Sequence, residues 1–182
     1  MEIKPTLADG IAIRKVGEIT FPMIQKWVDE IVTVEEDEIA SAILLLMERK
    51  RIVAEGAGAT PLAALLSKRM KTRSRKIVLV ISGGNIDVHL LDRIIEKGLA
   101  QTGRLVRVSI LLRDVPGALA KLTNLVGQHR ANILHIIHER AARDIPIGFS
   151  KVILVLETRG SDHIREIKKG FKEKGYSLQV LS

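Results

Sequence analysis

The 182-residue chain contains no cysteine. That excludes disulfides, thiolate nucleophiles and sulfur-ligated zinc, and it accords with a reducing compartment. Only five aromatic side chains are present, Phe21, Trp27, Phe149, Phe171 and Tyr176, and they are scattered. They do not interleave with the basic runs, so the stacking platform of a nucleic-acid binder is missing despite a formal net charge of +8. No nucleic-acid partner is expected. No stretch reaches the roughly 18 uncharged apolar residues of a membrane span. The opening Met1-Glu2-Ile3-Lys4-Pro5 also lacks the apolar core of a signal peptide. The chain therefore reads as cytoplasmic, with no membrane partner.

What is present suits a globular protein of one ordinary domain or two small ones, because 46% of the residues are apolar. The charge is uneven: residues 1–103 carry 15 basic and 14 acidic side chains, residues 104–182 carry 14 and 7. The two halves also differ in pattern.

In the first half, residues 20–30 have an early proline, Pro22, and apolar residues at helical spacing, which predicts a short helix. Ile31-Val32-Thr33-Val34 reads as a strand, and Thr33 with Glu36 as a capping box for a helix running to about Arg49. That helix has almost no polar face, so it must be buried on most sides. A further helix is expected after Thr60-Pro61, with Thr60 as its cap. Ile77-Val78-Leu79-Val80-Ile81 is a continuous, largely β-branched run, the pattern of a parallel strand buried on both faces. The turn Ser82-Gly83-Gly84-Asn85 ends it, and residues 87–97 return to helical spacing, with Asp87, Asp92 and Glu96 on a solvated face. This alternation is that of an α/β layer, yet two strands do not make a sheet. The strand therefore calls for neighbours from a missing upstream segment or a partner chain.

The second half is complete by contrast. It reads as strand 104–112, helix 116–129, strand 132–141, strand 149–158, helix 161–174 and strand 176–181, the βαββαβ order of the α+β ferredoxin-like plan. Ser161 is expected to cap its second helix, whose inner stripe is Ile164, Ile167 and Phe171. The domain boundary falls near Gly103, giving domains 1–103 and 104–182.

Ser82-Gly83-Gly84-Asn85 joins the C-terminal end of an expected buried strand to a helix, where open α/β sheets bind ligands. Two glycines allow close approach to the backbone, while the serine hydroxyl and asparagine amide offer hydrogen bonds. Such a turn is also common structural punctuation. Its company supports function: Thr6-Leu7-Ala8-Asp9-Gly10-Ile11-Ala12, Val34-Glu35-Glu36-Asp37-Glu38-Ile39, Ala54-Glu55-Gly56-Ala57-Gly58-Ala59 and Ile81-Ser82-Gly83-Gly84-Asn85-Ile86-Asp87. In this order and spacing the four blocks resemble the last third of the catalytic domain of threonine ammonia-lyases, pyridoxal-phosphate enzymes of fold type II, and of the similar serine racemases.

The resemblance implies that Ser82 hydrogen-bonds the pyridine nitrogen of pyridoxal phosphate, with Gly83, Gly84 and Asn85 beside it. It implies too that Gly10, Glu55 and Gly56 lie near the cofactor ring. An aliphatic hydroxyl cannot protonate that nitrogen, so the ring is a weaker electron sink and elimination is favoured. The implied reaction converts L-threonine to 2-oxobutanoate and ammonia. In the family the Schiff-base lysine and the phosphate-holding glycine loop lie upstream of Thr6, and nothing here resembles either. Lys68, Lys71 and Lys76 belong to a basic run that reads as solvated surface. The expectation is a C-terminal portion that is inactive alone and does not bind the cofactor covalently.

In the second half, Leu111-Leu112-Arg113-Asp114-Val115-Pro116-Gly117-Ala118-Leu119 closes a strand and opens a helix. It reads either as a tight turn with a proline-started helix or as a ligand site in which Asp114 holds an ammonium and Gly117 opens the helix N-terminus to a carboxylate. The stretch resembles the strand-to-helix turn of ACT domains, which bind amino acids between paired copies, and Asn132-Ile133 matches the start of their second strand. That implies an effector such as isoleucine or valine at Asp114, Pro116, Gly117, Ala118, Leu119, Asn132 and Ile133, and homo-oligomers formed by ACT pairing. The alternatives are a free-standing ACT module that senses amino acids or only dimerises, and complementation by an upstream catalytic fragment on another chain. His135 and His138 are not read as a metal pair, because strand residues three apart face opposite sides.

Overall fold

A computed structural model describes residues 5–70, 74 and 76–181. It divides into two compact units, one ending at Gly98 and the other beginning at Leu99. The opening residues 1–4 and Lys71, read above as chain start and surface lysine, lie outside the described residues.

In the first unit, Asp9–Ile11 form a single 3-10 turn, and helix α1 spans Thr20–Trp27. Pro22 sits in the first turn of α1, where its missing N–H leaves no helical bond unmade. None of its residues is buried. Residues 31–34, expected as a strand, pair with no strand among the described residues. Helix α2 (Glu36–Leu45) follows, and its capping box is Glu35 with Glu38 rather than Thr33 with Glu36. Glu35 donates its backbone N–H to Glu38 Oε2 at 2.8 Å. Glu36 is otherwise engaged: its carboxylate accepts from the Thr6 hydroxyl and, at 2.7 Å, from the Leu7 backbone N–H. Ile39, Ala42, Ile43 and Leu44 are buried, as the apolar pattern requires. A π-helical turn, Leu46–Lys50, continues α2 and stops at Arg51 in the left-handed region.

Helix α3 spans Gly56–Leu66, beginning four residues before the expected Thr60 cap and placing Pro61 inside it. Proline has no N–H to give to the carbonyl four residues back. That carbonyl belongs to Ala57, and it accepts instead from the Thr60 hydroxyl at 2.8 Å. Thr60-Pro61 thus reads as an interior repair, not a start. Helix α4 spans Val88–Gln101 and Asp87 caps it, accepting from the backbone N–H groups of His89 and Leu90 at 2.8 and 3.1 Å. Asp87 is not merely solvated surface. The core joins α2 and α3 through Ile39, Ala42, Ile43, Ala59 and Ala63, with Ala54 and Ile94. Residues 77–81, expected as a buried strand, pair with no strand among the described residues, and Val78 and Val80 are 90% and 72% exposed. The physical reason is that a strand buried on both faces needs neighbours on both edges and layers above and below.

The second unit carries strand β1 (Leu105–Arg113), helix α5 (Ala118–Gln128), strand β2 (Asn132–Glu139), strand β3 (Phe149–Glu157), helix α6 (Ser161–Glu173) and strand β4 (Leu178–Leu181). The sheet order is β2-β3-β1-β4 with every neighbouring pair antiparallel. That is the expected ferredoxin-like plan. Val108, Ile110, Val152, Leu154 and Leu156 alternate onto one face and meet Leu122, Val126, Ile167 and Phe171 from the helices. Gly160, not Ser161, is the N-cap of α6, and no side-chain hydrogen bond caps it. The start of α6 is held instead by buried His163: its Nδ1 accepts from the Arg159 backbone N–H at 3.0 Å, and its Nε2 lies 2.7 Å from the His129 carbonyl at the end of α5. Only the tautomer with its proton on Nε2 serves both partners.

Candidate functional site

Three separated segments of the first unit converge. Gly56 packs against the Leu7 backbone so closely that a Cβ there would lie 1.8 Å from the Leu7 carbonyl oxygen. Gly58 meets the Ser82 carbonyl in the same way, also at 1.8 Å. Gly83, in the left-handed region with φ of 77°, lies against the Glu55 carboxylate, and Gly10 faces Glu55 and Ala57. Glu55 clamps the turn from both ends: its backbone N–H donates to the Gly83 carbonyl at 3.3 Å and its carboxylate accepts from the Asn85 N–H at 3.3 Å. The structure therefore brings Gly10, Glu55, Gly56, Ser82, Gly83, Gly84 and Asn85 together.

Gly58 belongs with them, although the sequence reading does not single it out. Its signal is its place two residues after Gly56 at the head of a helix, where a second Cβ-free position lets a loop lie against α3. Ser82 itself is exposed, and its hydroxyl engages no partner among the described residues. The space beside the glycines is filled by the chain's own backbone and by Glu55, so they let the three segments pack closely, and the Ser82 hydroxyl is the polar group left over, able to offer a hydrogen bond to a ring nitrogen. Glu55 is spent on the turn and serves as its clamp.

In the second unit, the β1–α5 turn lines a groove of about 470 Å³ with Asp114, Val115, Leu119, His138, Arg140 and Ser150 among its walls. Pro116 lies before α5 instead of opening it, and Gly117 is the N-cap with φ of 82°. The space beside Gly117 is open, with no atom within 4 Å of where its Cβ would stand. The Asp114 backbone N–H donates to the Gly148 carbonyl at 2.9 Å. Its carboxylate already has a cation: Arg140 Nε lies 3.0 and 2.9 Å from the two oxygens. Ala118 and Leu119 line this groove, but Asn132 and Ile133 do not. Asn132 sits at the far end of β2, donating to Glu157 Oε2 at 3.3 Å. One copy of the unit thus gathers Asp114, Pro116, Gly117, Ala118 and Leu119 and leaves the β2 pair apart.

His135 pairs with Val155 and His138 with Val152 across the β2–β3 ladder, so the two imidazoles face opposite sides of the sheet. Beyond the groove, Asp144 and Lys151 form an ion pair at 2.5 Å. The hydrogen bond from Lys151 holds the Asp144 carboxyl below its ordinary range, and the same bond raises the Lys151 ammonium.

The family described as pyridoxal-phosphate dependent enzyme matches residues 1–83, and the ACT domain family matches residues 106–170. The L-threonine ammonia-lyase of Thermotoga maritima is 49% identical over 181 residues, which is 100% of this chain and 45% of that protein. That of Geobacter sulfurreducens is also 49% identical, over 97% of this chain and 44% of its own length. The solved structure of a serine racemase from Dictyostelium discoideum is 42% identical over 46% of this chain and 27% of its own, with a TM-score of 0.43. The chain spans less than half the length of the curated relatives it matches. No helix among the described residues is long and apolar enough to cross a membrane. Over its whole length the chain is similar to the C-terminal part of L-threonine ammonia-lyases, a segment matching the pyridoxal-phosphate dependent enzyme family followed by one matching the ACT domain family.

Proposed function

We propose that this chain supplies one wall of the cofactor site and the regulatory domain of a cytoplasmic enzyme that converts L-threonine to 2-oxobutanoate and ammonia. The observation that carries the first part is the close packing of Gly10, Glu55–Gly58 and Ser82–Asn85 on one another, which leaves the Ser82 hydroxyl exposed and unengaged. Pyridoxal phosphate, when bound, supplies the electron sink that loosens the threonine α-proton and lets the β-hydroxyl leave. Ser82 offers its hydroxyl to the ring nitrogen and leaves that nitrogen without a full proton. Gly83 adopts the left-handed backbone of the turn and leaves room for the Glu55 carboxylate, which fixes the turn that carries Ser82. The portion given to the cofactor domain extends to about Gly103, and the ACT domain begins at Arg104.

Turnover is expected to require a segment bearing the cofactor-linking lysine. The test is a mixture of the 182-residue chain with pyridoxal phosphate and threonine, assayed for 2-oxobutanoate. Turnover by the chain alone would sink this reading. Addition of the upstream part of a relative's catalytic domain is expected to restore activity, and S82A to abolish most of that restored activity.

The second unit acts as an amino-acid receptor that pairs with a second copy. Asp114 takes the ligand's ammonium and the α5 N-terminus beside Gly117 its carboxylate. A complete four-stranded sheet with its own core also favours a second reading, a self-sufficient amino-acid-sensing module. Calorimetric titration with isoleucine, valine, serine and threonine tests both; no heat with any of them removes the receptor role and leaves pairing alone.

A further inference from the structure

Asp9-Gly10 is the one place in the sequence where an aspartate or asparagine precedes a glycine. A glycine amide is the least hindered nucleophile that a backbone offers, because no side chain screens its nitrogen. The structure adds a second distinction. Asp37, Asp114, Asp144 and Asp162 spend their carboxylates on cations, and Asp87 spends its own on a helix cap. The Asp9 carboxylate is exposed and engages no partner among the described residues. The Gly10 N–H beside it also gives no hydrogen bond there, although its neighbours do: Ile11 donates to the Ala8 carbonyl and Ala12 to the Asp9 carbonyl, both at 3.0 Å. Those two bonds hold a single exposed 3-10 turn, which opens locally at little cost.

We infer that Asp9-Gly10 is a site of spontaneous backbone isomerisation, passing through a cyclic imide to isoaspartate, and that this change loosens the clamp on the Ser82 turn. The Gly10 nitrogen attacks Asp9 Cγ. A C–N bond forms, a C–O bond of the carboxylic acid breaks, and that oxygen departs as water with the acid's proton and the amide's. Water then opens the ring at either carbonyl. Opening at Cγ restores aspartate, whereas opening at the backbone carbonyl leaves the chain running through Cγ. Water is the only co-reactant.

Isoaspartate adds one carbon to the main chain between two fixed points. Upstream, Leu7 lies against Gly56, where a Cβ would stand 1.8 Å from the Leu7 carbonyl oxygen. Downstream, a Cβ on Gly10 would stand 3.3 Å from both Glu55 Oε1 and the Ala57 Cβ. The extra length is therefore taken up where the turn meets Glu55. The Glu55 carboxylate accepts from the Asn85 N–H at 3.3 Å, so a shift there reaches the turn that carries Ser82. Its consequence for the cofactor rests on the reading of that turn as a cofactor wall; the isomerisation itself does not.

The experiment incubates the purified 182-residue chain at neutral pH and physiological temperature, folded in buffer and unfolded in urea, beside D9E. Tryptic peptides are then separated and sequenced by electron-transfer mass spectrometry. Glutamate would have to close a larger ring, so D9E is expected to give no isomer at this position. The wild type is expected to accumulate isoaspartate at residue 9 ahead of every other aspartate, folded chain no more than about tenfold more slowly than unfolded, the factor for opening one or two exposed hydrogen bonds. A folded chain that keeps its ordinary linkage while the urea sample converts would show that the turn shields Gly10, and would overturn the inference. Hydrogen exchange at the Asn85 amide reads the second half, with faster exchange expected in the isomerised fraction than in fresh chain. Equal exchange would detach the isomerisation from the clamp. Both readouts work without cofactor or turnover, so a chain that isomerises and yet never takes part in threonine turnover fails only the threonine reading.

Discussion

Gly58 lies directly beneath the carbonyl of Ser82, at a spacing where a Cβ would come within 1.8 Å of the oxygen. The obstacle is backbone, so no rotamer change can relieve it. The head of α3 and the Ser82–Asn85 turn are one structural unit because this position has no side chain.

Replacing Gly58 with alanine is expected to force the turn off the helix, at a cost of about 1–3 kcal/mol from overpacking. Gly127, inside α5, has nothing within 4 Å of its would-be Cβ. G127A is expected to stabilise by about 0.5–1 kcal/mol, since alanine loses less backbone freedom in a helix. Chemical denaturation of the two variants should move in opposite directions; equal effects would show that the Gly58 contact is not tight.

Phe171 is fully buried between α6 and the sheet, with the His129 and Tyr176 rings 6.3 and 6.1 Å away. F171A is expected to lose about 3–5 kcal/mol, the range for removing a buried aromatic ring. The His163 bridge should also matter. H163L leaves the partly buried Arg159 N–H and His129 carbonyl without their partner, at about 0.5–1.5 kcal/mol for each hydrogen bond lost. Urea unfolding followed by far-UV circular dichroism measures both, and a loss under about 1 kcal/mol in F171A would contradict the packing described.

Asp144 and Lys151 impose a pH dependence with a definite sign. The Asp144 carboxyl is depressed from its ordinary 3.8, so its contribution is present above that value and disappears as pH falls through the folded-state value. The Lys151 ammonium is raised from 10.5, so its contribution is complete below that and disappears as pH rises through the folded-state value. The melting temperatures of wild type and D144N are therefore expected to differ between these limits and to converge in strong acid and strong alkali. A difference independent of pH would mean that Asp144 acts by something other than its charge.

Residues 77–81 present a run of chain that no described strand pairs, with Val78 and Val80 exposed, a template for another strand. The 182-residue chain is expected to self-associate with concentration. V78K/V80K should reduce that association in sedimentation experiments without lowering the melting temperature. Persistence of the association would place its origin elsewhere.

The ferredoxin-like half is legible because its signals are local. Alternation in Val106, Val108, Ile110 and Leu112 marks a one-sided strand, and the Ile164, Ile167 and Phe171 spacing marks a one-sided helix. The starts of helices are less legible, for Thr33, Thr60 and Ser161 are good caps in isolation. Glu36 is drawn to Thr6 and Leu7, and Glu55 opens α3 early while its carboxylate also holds the turn at Asn85. These choices depend on residues about 30 positions away, which no local pattern contains.

The order of elements in the second half, the absence of sulfur chemistry and the grouping of glycines at close backbone approaches follow from the amino-acid order alone. What lies against each glycine, the clamping of the turn by Glu55 and the meeting of Asp114 with Arg140 across 26 positions come from the packed chain. Periodicity encodes which face of an element turns inward. The partner waiting on that face is set by packing between distant segments, and that is where the site's charges find each other.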